Sequence, residues 1–256
     1  MRTFLSCCGS LIALMGATPA FAQDTAPPPE VTINGTATVV TDYRFRGISQ
    51  TDKQPALQGS ITVSHSSGFY ASVWGSSIDD YVTATGNSNQ ELDLILGFKK
   101  SFGGTTFDGG LLYYFYPKTG RGNTNFAEPY LSVAHIFGPV TVKVTGNYAP
   151  KQSALALDQR SISRFTPKQD NFYLAGDLSA AIPTTPFALS AHVGHTWGPS
   201  WLSIGKSYTD WNVGASYTFK ALTLGIQYVD TDGDFITPSG KNASKAGVVG
   251  SIGVAF

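Results

Sequence analysis

Apolar and polar residues alternate with a period of two along most of this chain. Leu92, Leu94, Leu96 and Phe98, for example, are separated by Asp93, Ile95 and Gly97. This alternation predicts β-strands with two different faces, whereas helical periodicity is scarce. We predict twelve strands, at residues 31–46, 56–65, 69–77, 89–101, 105–116, 126–137, 140–149, 170–182, 187–197, 208–219, 222–231 and 246–256.

The predicted connections after the first strand alternate between long and short. The short ones are rich in turn residues, such as Ser66-Ser67-Gly68, Gly103-Gly104 and Gly138-Pro139. An even number of strands with short turns at one end and long loops at the other is typical of bacterial outer-membrane barrels. We therefore predict an all-β fold, a membrane-spanning antiparallel up-and-down β-barrel over residues 31–256. Ten or fourteen strands remain open, because 31–46 and 150–169 could each be divided differently.

Large aromatic residues of the more apolar parity fall near predicted strand ends. This placement predicts two aromatic girdles at the membrane interfaces. The long-loop rim is predicted to carry Tyr43, Phe45, Phe115, Tyr148, Phe172, Trp197, Trp211 and Tyr228, and the short-turn rim Phe69, Phe98, Phe107, Phe137, Phe187, Phe219 and Phe256.

The opposite parity is polar and predicts a wetted lumen. Its charged residues near the long-loop rim, the candidates for a constriction, are Asp42, Arg44, Arg46, Glu91, Asp93 and Glu128. The arginines could form a selectivity filter with these carboxylates, or could neutralise them and brace the wall. A wrong register in the first strand would instead leave them at the surface. Inward aromatic residues could stack on a sugar-like solute or pack together: Tyr70, Trp74, Tyr114, Tyr116 and Tyr173.

Charge composition supports a non-aqueous environment. Lys and Arg number 17, Asp and Glu number 17, and charged residues make up 13% of the chain. Soluble domains carry roughly 25% charged residues. No cluster of basic residues stands out, so we expect no nucleic-acid partner.

The amino terminus has the three parts of a secretory signal peptide: Arg2, the apolar stretch Leu11–Met15, and Ala20-Phe21-Ala22. We predict a signal peptide over 1–22 with cleavage between Ala22 and Gln23. Both cysteines, Cys7 and Cys8, would leave with it. Residues 23–30 include three consecutive prolines and predict a short periplasmic lead-in.

The carboxyl-terminal residue, Phe256, ends an apolar strand. A terminal aromatic residue of this kind is a candidate signal for the barrel-assembly machinery, and an ordinary last strand is the alternative. The barrel would contact outer-membrane lipid and lipopolysaccharide.

The sequence offers little support for catalysis. His65, His135 and His195 have outward parity, and no serine partner for catalysis is evident near His195. His192 and His195 would face opposite sides of one strand, so they predict no metal site. Asp230–Asp234 resembles the start of a calcium loop, but Lys241 stands where that motif needs Glu. We expect no enzyme, cofactor or metal.

Three blocks of sequence resemble a known family. Thr41–Thr51 (TDYRFRGISQT) is similar to the opening signature of the TorF-family porins, also described as the Gcw_chp domain of unknown function. Ser67–Ser76 resembles the second block of that family, and Glu91-Leu92-Asp93 resembles the third. The resemblance covers most of the chain after the signal peptide. It implies an outer-membrane barrel and supplies neither a substrate nor catalytic residues.

These observations predict an outer-membrane pore for passive diffusion of small solutes through a narrow charged lumen. Both termini would lie on the periplasmic side. Because carboxylates outnumber arginines near the long-loop rim, we expect a mild preference for cations. The alternative is a non-conducting barrel whose long loops bind a partner or shape the cell surface.

Overall fold

A computed structural model describes residues 29–83, 88–117, 124–157 and 166–256. The predicted signal peptide, the cleavage position between Ala22 and Gln23, and most of the lead-in lie outside these residues. The strands are β1 Val31–Val40, β2 Arg44–Phe45, β3 Ile48–Ser49, β4 Ala56–His65, β5 Phe69–Ser77, β6 Gln90–Phe102, β7 Thr105–Phe115, β8 Phe126–Phe137, β9 Val140–Gln152, β10 Gln169–Ala181, β11 Phe187–Trp197, β12 Tyr208–Phe219, β13 Leu222–Thr231 and β14 Gly247–Ala255.

Twelve of these strands form one closed antiparallel barrel, as the alternation predicts. Neighbours in sequence pair from β4 through β14, and β1 closes the ring by pairing with both β4 and β14. At this seam the Phe256 amide donates to the Gly35 carbonyl at 3.0 Å, and the Gly35 amide donates back at 2.7 Å. Closure leaves the wall without a free sheet edge, which is a requirement for a sheet in lipid.

The wall strands expose their apolar parity on the outside. Leu57, Ile61, Leu94 and Leu96 are exposed, whereas the residues that alternate with them are buried or half-buried in the lumen. A continuous apolar outer surface of this kind is unfavourable in water and is the surface that a membrane barrel presents to lipid.

The first strand is shorter than its predicted range. It ends at Val40, and the following residues leave the wall at Thr41. The prediction of one strand over 31–46 is therefore wrong beyond residue 40. The chain after Val40 instead forms a second, smaller sheet of β2 and β3. That sheet folds inward rather than extending the barrel.

The connections are sorted as predicted, with tight turns at one end and long loops at the other. Short turns such as 103–104 and 138–139 use glycine at positive φ. The long-loop end carries three short 3-10 turns, Asp80–Val82, Ser153–Leu155 and Trp201–Ser203. Within the described residues, no helix has the length and apolar character needed to cross a membrane.

Candidate lumen constriction

The segment between β1 and β4 forms a hairpin that folds into the barrel. We call residues 41–55 the inward hairpin. Phe45 pairs with Ile48, so Arg46 and Gly47 form a two-residue turn with φ of 46° and 81°. Two successive positive φ angles match a type I′ turn, which favours glycine at its second central position. The tip is tight, because a methyl group on Gly47 would lie 3.0 Å from the Cβ atoms of both Asp210 and Thr231.

The base of the inward hairpin is fixed by Arg44. Its Nε donates to Asp42 Oδ2 at 2.6 Å, and its Nη1 donates to the carbonyls of Gly47, Ala243 and Lys245 at 3.0–3.1 Å. Asp42 also accepts a hydrogen bond from Ser49 Oγ at 2.6 Å. Arg44 therefore ties the hairpin both to itself and to the β13–β14 loop.

A second anchor to the same loop involves Asp52. Its carboxylate forms an ion pair with Lys241 Nζ at 2.9 Å and accepts hydrogen bonds from Thr237 and Ser239. Burial acts to raise the pKa of Asp52. The hydrogen bonds from Lys241, Ser239 and Thr237 outweigh that effect and leave the pKa below its ordinary value.

The tip of the inward hairpin is fixed by Arg46. Its Nη2 donates to Glu128 Oε1 at 2.8 Å, its Nη1 donates to Asn171 Oδ1 at 3.0 Å, and neither charged side chain has exposed surface. The guanidinium also lies over the Tyr173 ring, 4.1 Å from its centroid. Arg46 thus joins the hairpin to β8 and β10.

Neutral residues complete the environment of this ion pair. Glu128 Oε2 accepts hydrogen bonds from the Tyr114 hydroxyl and from Asn147 Nδ2, both at 3.2 Å. Asn171 Nδ2 donates to Thr196 Oγ1 at 3.0 Å. The inward polar parity predicts Asn147 in the lumen, but the predicted constriction residues include none of Asn147, Asn171 and Thr196. The inward parity of these polar side chains at the height of Glu128 is the signal that could have identified them.

Tyr43 and Phe45 do not belong to the long-loop girdle, so these two predictions are wrong. Tyr43 is buried, its hydroxyl donates to Glu91 Oε1 at 3.0 Å, and its ring meets Trp74 edge to face. Phe45 packs edge to face against Tyr114 in the lumen. Both predictions assumed that the wall strand continues past Val40. Because the chain turns into the lumen after Val40, residues of both parities lie inside the barrel, including Tyr43 and Phe45.

The remaining residues of the two predicted girdles have exposed side chains on the outer face. Their position relative to a bilayer stays a prediction. The exposed residues near the long loops are Phe115, Tyr148, Phe172, Trp197, Trp211 and Tyr228, and those near the short turns are Phe69, Phe98, Phe107, Phe137, Phe187, Phe219 and Phe256.

All six predicted constriction residues lie inside the barrel, but they belong to two different parts of the chain. Asp42, Arg44 and Arg46 reach the lumen on the inward hairpin, so their predicted place on the first wall strand is wrong. The other three project from the wall. Glu91 and Asp93 lie two residues apart on β6 and are buried, and Asp93 Oδ1 has no hydrogen-bond partner among the described residues. Glu128 projects from β8.

The inward aromatic residues pack together around the hairpin. Tyr114 stacks on Phe126 with centroids 4.2 Å apart, and Trp74 meets Tyr43. Nearer the short turns, the Tyr70 hydroxyl donates a hydrogen bond to Asp108 Oδ1 at 2.8 Å. Tyr43, Trp74, Tyr114 and Phe126 lie in the loop half of the lumen, whereas Tyr70 lies in the short-turn half.

The short-turn half of the lumen is more open. Lys143 and Asp177 form an ion pair at 3.6 Å, with 18% and 37% of their side chains exposed. His192 bridges Asp177 at 2.7 Å and Asp210 at 3.1 Å. The rest of this half contains the Tyr70–Asp108 hydrogen bond and small polar side chains that are half-buried or exposed, including Thr36, Ser60, Thr62, Ser216 and Ser251.

The histidines of outward parity have simple polar partners. His135 forms a hydrogen bond with Thr105, and His195 forms one with Thr209. His65, at a short turn, forms hydrogen bonds with Ser67 and with the exposed Glu30. In the part of the chain that the structure describes, no three His, Cys, Asp or Glu side chains are placed to hold a metal ion.

Solved porin structures share this fold. The NanC porin in its rhombohedral crystal form is 12% identical, with a TM-score of 0.58 over 88% of this chain and 99% of that chain. The KdgM porin is 11% identical, with a TM-score of 0.53 over 88% of this chain and 97% of that chain. At such low identity the similarity establishes the fold alone. No curated protein matches the sequence.

A family model matches nearly the whole chain. The match covers residues 22–254 and includes the segment that forms the inward hairpin. The family is described as "Bacterial protein of unknown function (Gcw_chp)". The chain therefore belongs to the Gcw_chp family.

Proposed function

We propose that this protein is a bacterial outer-membrane channel for passive diffusion of small solutes, narrowed by the inward hairpin. The observation that carries the proposal is the position of the hairpin. Its contacts reach β8 and β10 through Arg46 and the β13–β14 loop through Arg44. A solute that enters from the long loops would have to pass this hairpin before it reaches the polar lower lumen.

Three further observations support the proposal. The outer wall is apolar, the fold is shared with solved porins, and the amino terminus predicts export. Assembly by the barrel-assembly machinery through Phe256, contact with lipopolysaccharide, and membership of the TorF-family porins belong to the same proposal.

The charges in the lumen favour cations. Carboxylates outnumber basic groups among the inward side chains, so the potential along the path is negative. The acidic groups are Asp42, Glu91, Asp93, Asp108, Glu128, Asp177 and Asp210, and the basic groups are Arg44, Arg46, Lys99, Lys143 and His192.

Planar-bilayer recording of the purified, folded protein tests this function. We expect discrete conductance steps and a reversal potential in a KCl gradient that reports preference for K⁺. The preference should weaken at high salt, because the screening length falls from about 10 Å at 0.1 M to about 3 Å at 1 M. A barrel that is folded by gel migration but silent in every bilayer would contradict the channel.

A second candidate function is a non-conducting barrel that presents its long loops to a partner. The complete burial of the Arg46–Glu128 pair favours this candidate, since such a pair can hold the hairpin across the lumen permanently. The same recording separates the two functions.

A further inference from the structure

A cavity of about 360 Å³ lies between the inward hairpin and the long loops. The hairpin contributes Phe45, Ile48 and Gln50 to its lining, and the other lining residues come from the long loops and from the loop ends of the wall strands. Small-molecule sites are typically about 300–1,000 Å³, so the cavity has the size of such a site.

Aromatic residues are the largest group in the lining of this cavity, and aliphatic residues are the second largest. Tyr81 and Phe235 lie with ring centroids 5.9 Å apart, and Trp201 is oriented by a hydrogen bond from Nε1 to the Val82 carbonyl at 3.2 Å. The other aromatic residues of the lining are Phe45, Tyr116, Phe126 and Tyr208. Faces of aromatic rings attract cations, most strongly where water is excluded.

Glu91 is the only charged side chain among the described residues of the lining. The Tyr43 hydroxyl donates to Glu91 Oε1 at 3.0 Å, and Tyr116 also hydrogen-bonds this carboxylate. These contacts fix its orientation but supply no positive charge.

The described residues supply no cationic partner to the carboxyl groups beside the cavity. Asp93 follows on the same face of β6, is buried, and has an oxygen without a hydrogen-bond partner among the described residues. Within that part of the chain, neither Glu91 nor Asp93 forms an ion pair, and Arg46 is engaged by Glu128. Buried charges are ordinarily paired. A buried carboxyl group without a cationic partner either keeps a proton or pairs with a cation, so a positively charged occupant would stabilise the ionised form of Glu91.

We propose that this cavity is a binding site for small organic cations, namely ammonium compounds that carry an aromatic or other apolar group. The rings would surround the apolar group and the ammonium methyls, and Glu91 would supply the counter-charge. Binding at equilibrium requires no conduction, so the site does not depend on the proposed channel function.

Titration of the folded, full-length barrel in a maltoside detergent tests the proposal. The probes are benzyltrimethylammonium, its neutral isostere neopentylbenzene, and phenylacetate as an anion of similar size. Saturable binding of the ammonium probe, about tenfold or more tighter than the isostere, is the expected result, with no binding of phenylacetate. Equal affinity for the neutral isostere would overturn the proposal and leave only an apolar cavity. Preference for the anion would overturn it as well.

Two variants locate the site. Glu91→Gln keeps an acceptor for the Tyr43 hydroxyl and should weaken ammonium binding about tenfold while leaving isostere binding unchanged. Asp230→Asn, at the rim of the same end but outside the cavity, is the matched control and should bind as the wild type does. Trp201→Leu keeps an apolar lining and should weaken the ammonium probe more than the isostere. Unchanged ammonium affinity in a folded Glu91→Gln protein would refute the assignment. If that variant did not fold, the three probes on the wild type would still decide.

Discussion

Two of the ion pairs in the described part of the lumen have similar chemistry but differ in their contact with water. Near the long loops, Arg46 and Glu128 lie 2.8 Å apart with no exposed side-chain surface. Towards the short turns, Lys143 and Asp177 lie 3.6 Å apart and are partly exposed. A buried pair is costly to break because the remaining charge is stranded, whereas an exposed pair contributes little. The first pair can therefore hold the inward hairpin in place, and the second can interact with solutes in the lumen.

The surroundings of the two pairs fit this division. Glu128 is fully engaged by Arg46, Tyr114 and Asn147, and Arg46 brings the hairpin tip with it. Asp177 instead contacts Lys143 and His192 in the more open half of the lumen. Charge sign alone would not separate these roles, since both pairs lie in the lumen and each joins one basic group to one carboxylate.

The largest expected effect comes from removing one partner of the buried pair. Glu128→Ala leaves Arg46 charged and buried, and we expect the free energy of unfolding to fall by about 3–5 kcal/mol. Asp177→Ala, the matched change in the open half, should cost less, because Asp177 is partly exposed and His192 keeps Asp210 as its second partner. Urea unfolding in lipid vesicles, followed by the gel shift between folded and unfolded forms, measures both.

The same two variants should also differ in their effect on conductance. Release of the hairpin tip should raise single-channel conductance in Glu128→Ala. Loss of a wetted carboxylate in Asp177→Ala should mainly lower cation preference. Equal losses of stability in the two variants would mean that the difference in burial has no energetic consequence.

A smaller effect is expected at the hairpin tip, where Gly47 has a matched control in Gly240. Their φ angles are 81° and 84°, so alanine is strained at either position by roughly 1–2 kcal/mol. A methyl group at Gly47 would also press on Asp210 and Thr231, whereas nothing lies within 4 Å of the position at Gly240. We expect Gly47→Ala to destabilise the barrel more than Gly240→Ala in the same urea assay. Identical losses would show that the tip can shift away from β12 and β13 freely.

The wall and the hairpin also differ in how well sequence predicts them. Wall strands such as β4, β5 and β8 have the predicted bounds, because alternation and turn residues report directly on a two-faced strand. Beyond Val40 the same alternation was misleading. Periodicity records that polar and apolar residues alternate, and it does not distinguish a wall strand from a hairpin inside the lumen.

The signal that would have predicted the hairpin lies in its own sequence. Arg46-Gly47 could have been recognised as a two-residue turn between short strands, which would have ended the wall strand early. The partners of Arg46 were less accessible to prediction. Asn171 lies far along the chain, and its contact depends on how the hairpin crosses the barrel. Residue type and parity therefore predicted that Glu91, Asp93 and Glu128 face the lumen, but neither the hairpin that carries Arg46 nor the contacts of Arg46.

The smallest expected effect concerns pH at the other anchor of the inward hairpin. The pKa of Asp52 is lowered in the folded protein by hydrogen bonds from Lys241, Ser239 and Thr237, against the effect of burial. A lowered folded-state pKa stabilises the protein above the unfolded value of about 3.9, and this contribution disappears as the pH falls through the folded value. We expect the wild type to lose more stability than Asp52→Asn between pH 6 and pH 3, by at most about 1 kcal/mol because Lys241 is partly exposed. Asp234→Asn, in the same loop but without an ion pair among the described residues, should follow the wild type. Urea midpoints at the two pH values measure the difference. Parallel curves for the wild type and Asp52→Asn would show that this anchor contributes nothing, leaving Arg44 to hold the base of the hairpin.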